Sequence, residues 1–519
     1  MADNIDMTTA FAMKTERPAS LQLAGRRVHF VGIAGVGMSG LARLVQRQGA
    51  SCTGSDMASG EVVDALESDG FSVALEQNAQ SVPIDCELLV ASAAIAADHP
   101  ELIEARRRGI PVLKYAAMLG HLMSGRTGVA VAGTHGKSTT TSMLSHALIH
   151  TGLDPSFIVG ATCQQIGGGS RTGESEILVA EACEYDRSFH NLNPTHALIL
   201  NVEEDHLDCY GSLEAIVESF AAFARRLPAH GSLLIGHEIP HRRAITADLE
   251  CAVETLGFAA DADWRVVFEP PLPHAAAPVE PDPAAGDGDH RPSALATLMH
   301  REVPVCRWPS PLPGKHMAYN AAAAAVTAHR LGAHWSDIAE ALASFRGLDR
   351  RMQYLGAKTW PGPVAGTGTD AEHTSLGVGS RKNEPILVID DYGHHPTEID
   401  ATLRALREHY RPKRLICVFQ PHQHSRTRFL IESFATSFRA ADWVIVPDIY
   451  FVRDSEKERQ AVTAAALVDR LRQKGVNAMH MHPFEAIVAQ LGLIAQPGDL
   501  LVTMGAGDVW RVAHDFLER

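Results

Sequence analysis

The run Gly133-Thr134-His135-Gly136-Lys137-Ser138-Thr139-Thr140 stands between an apolar stretch, GVAVA, and helix-forming residues. A glycine-bearing loop so placed turns backbone N–H groups toward phosphate oxygens. Lys137 then neutralises β- and γ-phosphate charge, and a hydroxyl at Ser138 or Thr139 faces Mg²⁺. The full G-x-x-x-x-G-K-[ST] pattern is not met, because Val131 occupies the first glycine's place. A purely structural reading leaves the lysine unexplained, since a cation at a helix start opposes the macrodipole. Glu181 closes the run ILVAE, and Asn201-Val-Glu-Glu-Asp205-His206-Leu-Asp208 follows ALIL. Oxygen donors plus one imidazole at strand ends suit Mg²⁺ bridging triphosphate oxygens, although acidic residues there are also often plain solvated loop charges.

Two further groups of residues invite chemistry. Gly32-Ile-Ala-Gly35-Val-Gly37-Met-Ser-Gly40 contains G-x-G-x-x-G directly after a strand-like run, with Asp56 at the end of the next one. Such a turn lets backbone amides and a helix N-terminus approach a pyrophosphate, while the acidic residue meets a ribose or sugar hydroxyl. A dinucleotide and a UDP-sugar both carry that group, so the motif leaves the choice open, and a turn needed only for close packing is the bland alternative. Late in the chain come Asp390-Asp391-Tyr-Gly-His394-His395-Pro-Thr-Glu398 and Gln420-Pro-His422-Gln-His424-Ser-Arg426-Thr-Arg428. Arg426 and Arg428 with flanking histidines are suited to clamp a carboxylate.

Elements must hold these groups. RVHFVG, ASCTGSD, ELLVAS and IPVLKY alternate with helical stretches over residues 27 to 125, and GVAVAG, SEILVAE and HALILNV follow. PILVID, RLICVFQ, ADWVIVPD, NAMHMH and DLLVTMGAGD form a last alternating block. Strands alternating with helices predict parallel, doubly wound sheets, and polar clusters at the carboxyl ends of such strands are where ligands bind. The 519 residues correspond to about three to four domains at ~150 residues each. The expected fold is α/β with three domains: an extension over 1–24, a Rossmann-like unit over 25–125, a central P-loop ATPase-type unit over 126–350 and a Rossmann-like unit over 351–519. Segments about 261–300, rich in Ala, Pro, Asp and Gly, and 361–383, rich in Gly and Thr, read as surface insertions.

Composition narrows the partners. The net charge of −15 and the 45% hydrophobic content describe a globular chain and argue against a protein that wraps nucleic acid, which leans on Lys and Arg. Eight scattered cysteines without C-x-x-C spacing predict free thiols in a reducing compartment. No stretch approaches a membrane span or a signal-peptide core, so a cytoplasmic protein without membrane insertion is expected.

The order GIAGVGMSGLA, GTHGKSTTT, AEACEYD, NVEEDHLDCYGS, GKHMAYNAAAA, DRRMQ, DDYGHHPTEI, QPHQHSRTR and GAGD resembles the ATP-dependent Mur amide ligases of peptidoglycan precursor synthesis, over about residues 25 to 515 outside the two insertions. The resemblance implies three substrates: ATP, UDP-N-acetylmuramate and L-alanine, the last joined to the lactyl carboxylate through an acyl phosphate, with Mg²⁺ as cofactor and a monomer or homodimer as the working form. It implies that Gly32, Gly35, Gly37, Gly40, Asp56 and Ser92 hold the UDP-sugar. Gly133, Thr134, His135, Gly136, Lys137, Ser138, Thr139, Asn320, Arg351 and Asp391 would hold ATP, and Ser138, Thr139, Glu181 and His206 would surround the metal. His394, His422, Arg426 and Arg428 would line the amino-acid side, with Lys137, His206 and Arg351 acting in catalysis.

The chain departs from the family pattern at three places. Met317 stands where H-N-x-x-N has its first Asn, Gly347-Leu-Asp-Arg350-Arg351 loses a middle glycine, and Gln423 replaces a basic residue. Competing readings are a recycling ligase that adds a whole peptide to the same UDP-sugar, a folylpolyglutamate synthetase-like ligase, a non-catalytic ATP- and UDP-sugar-binding homologue, and an NAD-dependent dehydrogenase. The last would leave the phosphate loop and the late clusters without a task.

Overall fold

Three sheets follow one another along the chain in the computed structural model, which describes residues 21–271, 294–359, 384–452 and 454–519. The first sheet is wholly parallel, with strands in the spatial order Ser72–Ala74, Ser51–Ser55, Arg27–Val31, Leu88–Ala91, Val112–Lys114. Apolar runs such as LLVA, buried at every position, are what a strand covered by helices on both faces requires. The strand order reverses between Arg27–Val31 and Leu88–Ala91. Their carboxyl ends frame the crevice in which open α/β sheets bind ligands.

The second sheet has ten strands among the described residues. Thr127–Ala132, which feeds the phosphate loop, lies between His196–Ile199 and Ile177–Glu181 in parallel register. The acidic and loop residues that follow those two strands therefore flank the loop on either side. Trp264–Glu269, Ala294–His300 and Val303–Ser310 extend one edge as an antiparallel meander. This corrects the expected insertion over 261–300. Its two flanks are paired strands, whose alternating burial is a period-2 signal that the Pro- and Ala-rich composition between them obscured. Residues 272–293, and the expected insertion over 361–383, lie outside the described residues.

The third sheet has the order Gln353–Lys358, Ile386–Asp391, Leu500–Met504, Leu415–Phe419, Trp443–Val446, Ala478–His480, with only its first strand antiparallel. The 353–358 strand had no counterpart in the sequence reading.

Apolar packing joins the units. The helix Lys137–His150 packs on Lys315–Arg330, whose alanines 321 to 325 are all buried and let two backbones come close. One buried cluster runs from Val129 through Met317 and Met352 to Ile399 and Met504. No helix among the described residues is long and apolar enough to cross a membrane, and all eight cysteines are free.

Candidate active site

Gly133 and Gly136 take φ of +143° and +83°, which side-chain-bearing residues adopt only with strain. The turn they make delivers the helix Lys137–His150 with no side-chain cap on its first amides, leaving N–H donors of the kind that receive phosphate. Asn201 shapes the loop from the neighbouring strand. Its Oδ1 accepts from His135 N at 2.7 Å and its Nδ2 donates to His135 O at 3.1 Å. Asn320 closes the other side, for a Cβ on Gly136 would stand 2.7 Å from its Oδ1.

Lys137 Nζ donates to Gly133 O at 2.6 Å and Thr134 O at 3.0 Å, and pairs with Glu184 Oε2 at 2.9 Å. Burial alone favours the neutral amine, but the Glu184 carboxylate holds Lys137 charged, with its pKa above the ordinary value. Glu184, itself buried, is held below the usual carboxylate range by Lys137 and His206 against the cost of desolvation. Its Oε1 lies 3.6 Å from His206 Nε2. Ser138 Oγ donates to Glu181 Oε2 at 2.9 Å, and Gly160 N donates to the same oxygen at 2.8 Å. Ser138 and Glu181 thus meet beside the loop, and His206 is linked to it through Glu184 and Lys137; oxygen donors with one imidazole are of the kind that fits Mg²⁺. Thr139 is buried in the first turn of the helix.

The C-terminal unit completes the site. Arg350 is taken up structurally, bonding Asp390 Oδ2 at 3.1 Å and the carbonyls of Gly505 and Gly507. Arg351 faces the junction, 3.5 Å from Glu398 Oε1 and over the ring of Tyr392. Asp391 accepts from Met352 N at 2.9 Å and Gly393 N at 3.1 Å; burial, opposed by Arg351, raises its pKa to about 6. His135 of the phosphate loop reaches across to Glu398, with Nδ1 to Oε1 at 3.3 Å. Burial disfavours its charged form, but Glu398 and Glu203 push its pKa up to about 9. Four residues here with side chains have positive φ: His206, Arg350, Met352 and Gln423. Each carries about 1–3 kcal/mol of backbone strain of the sort that gathers at functional sites.

His394, His422 and Arg426 come together. The two imidazoles lie 6.0 Å apart by ring centre, and His422 Nδ1 is 3.4 Å from Arg426 Nη1. Burial and Arg426 lower the His394 pKa to about 3, so its ring is neutral. Arg426 is buried against Asp205 of the central unit at 3.0 and 3.1 Å. Arg428 does not join them. It sits half-exposed on the outer side of the helix His424–Phe429, paired with Glu458 at 3.3 Å, because residues two apart on a helix point in different directions. The expected two-arginine clamp therefore reduces to Arg426.

The N-terminal glycine loop lies at the switch point of its sheet. A Cβ on Gly32 would be 3.2 Å from Ser92 Cβ, and one on Gly37 would be 3.0 Å from the Tyr115 hydroxyl. Gly35 opens the following helix, Val36–Arg47. Asp56 has already engaged both carboxylate oxygens with backbone, accepting from Ala34 N at 2.8 Å and Ala58 N at 3.0 Å. In this structure it braces the loop. Gly40 meets the central unit, since a Cβ there would fall 2.3 Å from Ser170 Cβ.

Sequence reasoning passed over Glu184, Glu203, Asp205, His395 and Glu398, all inside quoted motifs. Only the spacing His395-x-x-Glu398 carried a signal, that of a capping box at the start of the helix Pro396–Tyr410.

Residues 27–127 match the Mur ligase family, catalytic domain; 131–328 the Mur ligase middle domain; and 378–507 the Mur ligase, glutamate ligase domain. The UDP-N-acetylmuramate–L-alanine ligase of Desulfitobacterium hafniense (strain Y51) is 35% identical over 94% of this chain and 99% of its own. That of Caldanaerobacter subterraneus subsp. tengcongensis is 36% identical over 95% and 97%. Among solved structures, the UDP-N-acetylmuramate-alanine ligase of Thermotoga maritima shares the fold with a TM-score of 0.70 at 23% identity, covering 95% of this chain and 98% of that one. Three matched segments in order, and full-length relatives above 30% identity, place the chain in the Mur ligase family.

Proposed function

We propose that the chain is an ATP-dependent ligase that joins L-alanine to the lactyl carboxylate of UDP-N-acetylmuramate, releasing ADP and phosphate, in cytoplasmic peptidoglycan precursor synthesis. The observation that carries this reading is the near full-length relationship to ligases of that name. The Lys137 loop, Arg351 and the His394–His422–Arg426 group, brought to one junction, support it.

A carboxylate does not condense with an amine directly, because its oxygen is a poor leaving group. In the proposed reaction a lactyl carboxylate oxygen attacks the γ-phosphorus and ADP departs, giving an acyl phosphate. The amine nitrogen of alanine then attacks the acyl carbon, phosphate leaves, and the nitrogen gives up a proton. The first step needs alignment and charge neutralisation. Lys137, once drawn from Glu184 by phosphate, and Arg351 supply them, and Asn320 and Asp391 border the nucleotide. Mg²⁺ on Ser138, Thr139, Glu181 and His206 would neutralise phosphate charge. Arg426 and His422 would hold the amino acid's carboxylate, and His206 would take the amine's proton when not engaged by the cation. Gly32, Gly35, Gly37 and Ser92 would receive the UDP-sugar diphosphate, with Asp56 fixing their loop. The acyl phosphate survives only where water is excluded, a task for the contact between the central and C-terminal units. The eight free thiols accord with a reducing compartment.

Phosphate release with ATP, Mg²⁺ and UDP-N-acetylmuramate, varying the amine, tests the reading. Release should require both co-substrates and be fastest with L-alanine. Release without the UDP-sugar or without amine, or a preference for a peptide, would overturn it.

A further inference from the structure

Apart from the proposed Mg²⁺ donors, the described residues hold a group of side chains of metal-ligating type at the loop bearing His135. His135, Glu203 and His395 each place one donor atom within 4.8 Å of the others, the first two from the central unit and the third from the C-terminal unit. His135 Nε2 is buried without a hydrogen-bond partner, and Glu203 Oε2 is 3.6 Å from it. His395 Nε2 stands 3.0 Å from the carbonyl oxygen of Glu204. Two donors that are each about 2.1 Å from one cation lie roughly 3.0–3.4 Å apart; each pair is near that span, and the three side-chain donors, within 4.8 Å of one another, must draw together to share an ion.

The surroundings match those of a metal centre. His135 Nδ1 faces Glu398 Oε1 at 3.3 Å, and Thr397 Oγ1 donates to Glu203 Oε2 at 2.5 Å. A ligating imidazole whose second nitrogen meets a carboxylate, and a ligating carboxylate that is itself hydrogen-bonded, are the outer partners that orient metal ligands. Two imidazoles, one carboxylate and one carbonyl favour a borderline transition metal over Mg²⁺, which prefers oxygen.

We propose that His135, Glu203 and His395, with the Glu204 carbonyl, form a Zn²⁺-class site that staples the central unit to the C-terminal unit and is distinct from the Mg²⁺ site of the reaction. Binding releases the His135 Nε2 proton to solvent and moves the His395 Nε2 proton to Nδ1, exchanging the bond to the Glu204 carbonyl for the metal and giving up the contact of Nδ1 with Thr397 N. Because His135 belongs to the phosphate loop, zinc held here should slow ligation.

The test titrates the full chain with ZnCl₂ in excess Mg²⁺, following heat and thermal unfolding, so it does not depend on the ligase reading. One equivalent should bind and raise the melting temperature. Glu181→Gln should leave that binding intact, whereas Glu203→Gln and His395→Asn should abolish it. Thr397→Ala removes the exposed hydroxyl that holds Glu203, together with its methyl; it should weaken binding about 10-fold or more. Co²⁺ bound to the parent should show the visible absorption of a nitrogen–oxygen site. Absence of binding in excess Mg²⁺, binding lost in Glu181→Gln, or affinity unchanged in both Thr397→Ala and Glu203→Gln would overturn the proposal.

Discussion

Gly40→Ala separates two explanations of the third glycine in the N-terminal motif. Gly40 lies inside the helix Val36–Arg47, where alanine is the better helix former by about 1 kcal/mol; on local grounds the change stabilises. The structure opposes this. The new methyl would sit 2.3 Å from Ser170 Cβ and 2.6 Å from its Oγ, about 1 Å short of ordinary contact. Overpacking of this kind costs about 1–3 kcal/mol, at the lower end if the two-residue edge strand Ser170–Arg171 retreats. The net expectation is a loss of about 0–2 kcal/mol. Ser170→Gly removes both obstructing atoms, so the double variant should recover the helix gain, with a coupling energy of about 1–3 kcal/mol in a four-variant cycle. Urea unfolding of the four proteins measures stability, and calorimetry with UDP-N-acetylmuramate shows whether the helix N-terminus has shifted. Gly40→Ala that is stabilising by about 1 kcal/mol, with coupling within ~0.3 kcal/mol of zero, would refute the inter-unit contact.

Lys137→Ala should lower phosphate release by about 10²–10³-fold while calorimetry still detects the UDP-sugar, whose proposed loop lies on another sheet. Glu181→Gln should raise the Mg²⁺ concentration needed for half-maximal release, whereas Arg428→Ala should change neither that nor the demand for alanine, in steady-state assays. Asp205→Asn leaves Arg426 buried without its partner, so it should cost about 3–5 kcal/mol in urea unfolding. Burial raises the Asp205 pKa, but Arg426 and His206 hold it well below the carboxylate range. The folded value therefore lies under the unfolded one of about 4, and the pair's stability is present above pH ~4 and lost as pH falls further. Melting temperatures measured from pH 6 to pH 3 should fall more steeply in the parent than in Asp205→Asn.

The sequence alone marked most strands of the first and last parallel blocks but only three of the central one, because strands buried on both faces are written as short apolar runs, such as LLVA and LICVF, between turn residues; Ser232–Gly236, equally buried, was passed over. The sequence also determined where the phosphate loop starts, because a glycine at positive φ ahead of Lys137 is a local requirement. The edge strands were less legible. Gln353–Lys358 is only partly buried and carries little apolar pattern, and the meander's strands flank a stretch whose composition reads as loop. Which charged residues face inward depended on long-range packing. Arg350 and Arg351 are neighbours, yet one bonds the carbonyls of Gly505 and Gly507 and the other faces the junction. Arg426 and Arg428 are two apart, yet one is buried against Asp205 and the other lies on the surface. Glu184, Asp205 and Glu398 acquire their partners, Lys137, Arg426 and His135, from residues 47, 221 and 263 positions away in the chain. Such pairings depend on how strands and helices are seated against one another, within a unit for Lys137 and between units for the other two, and local spacing holds no record of that.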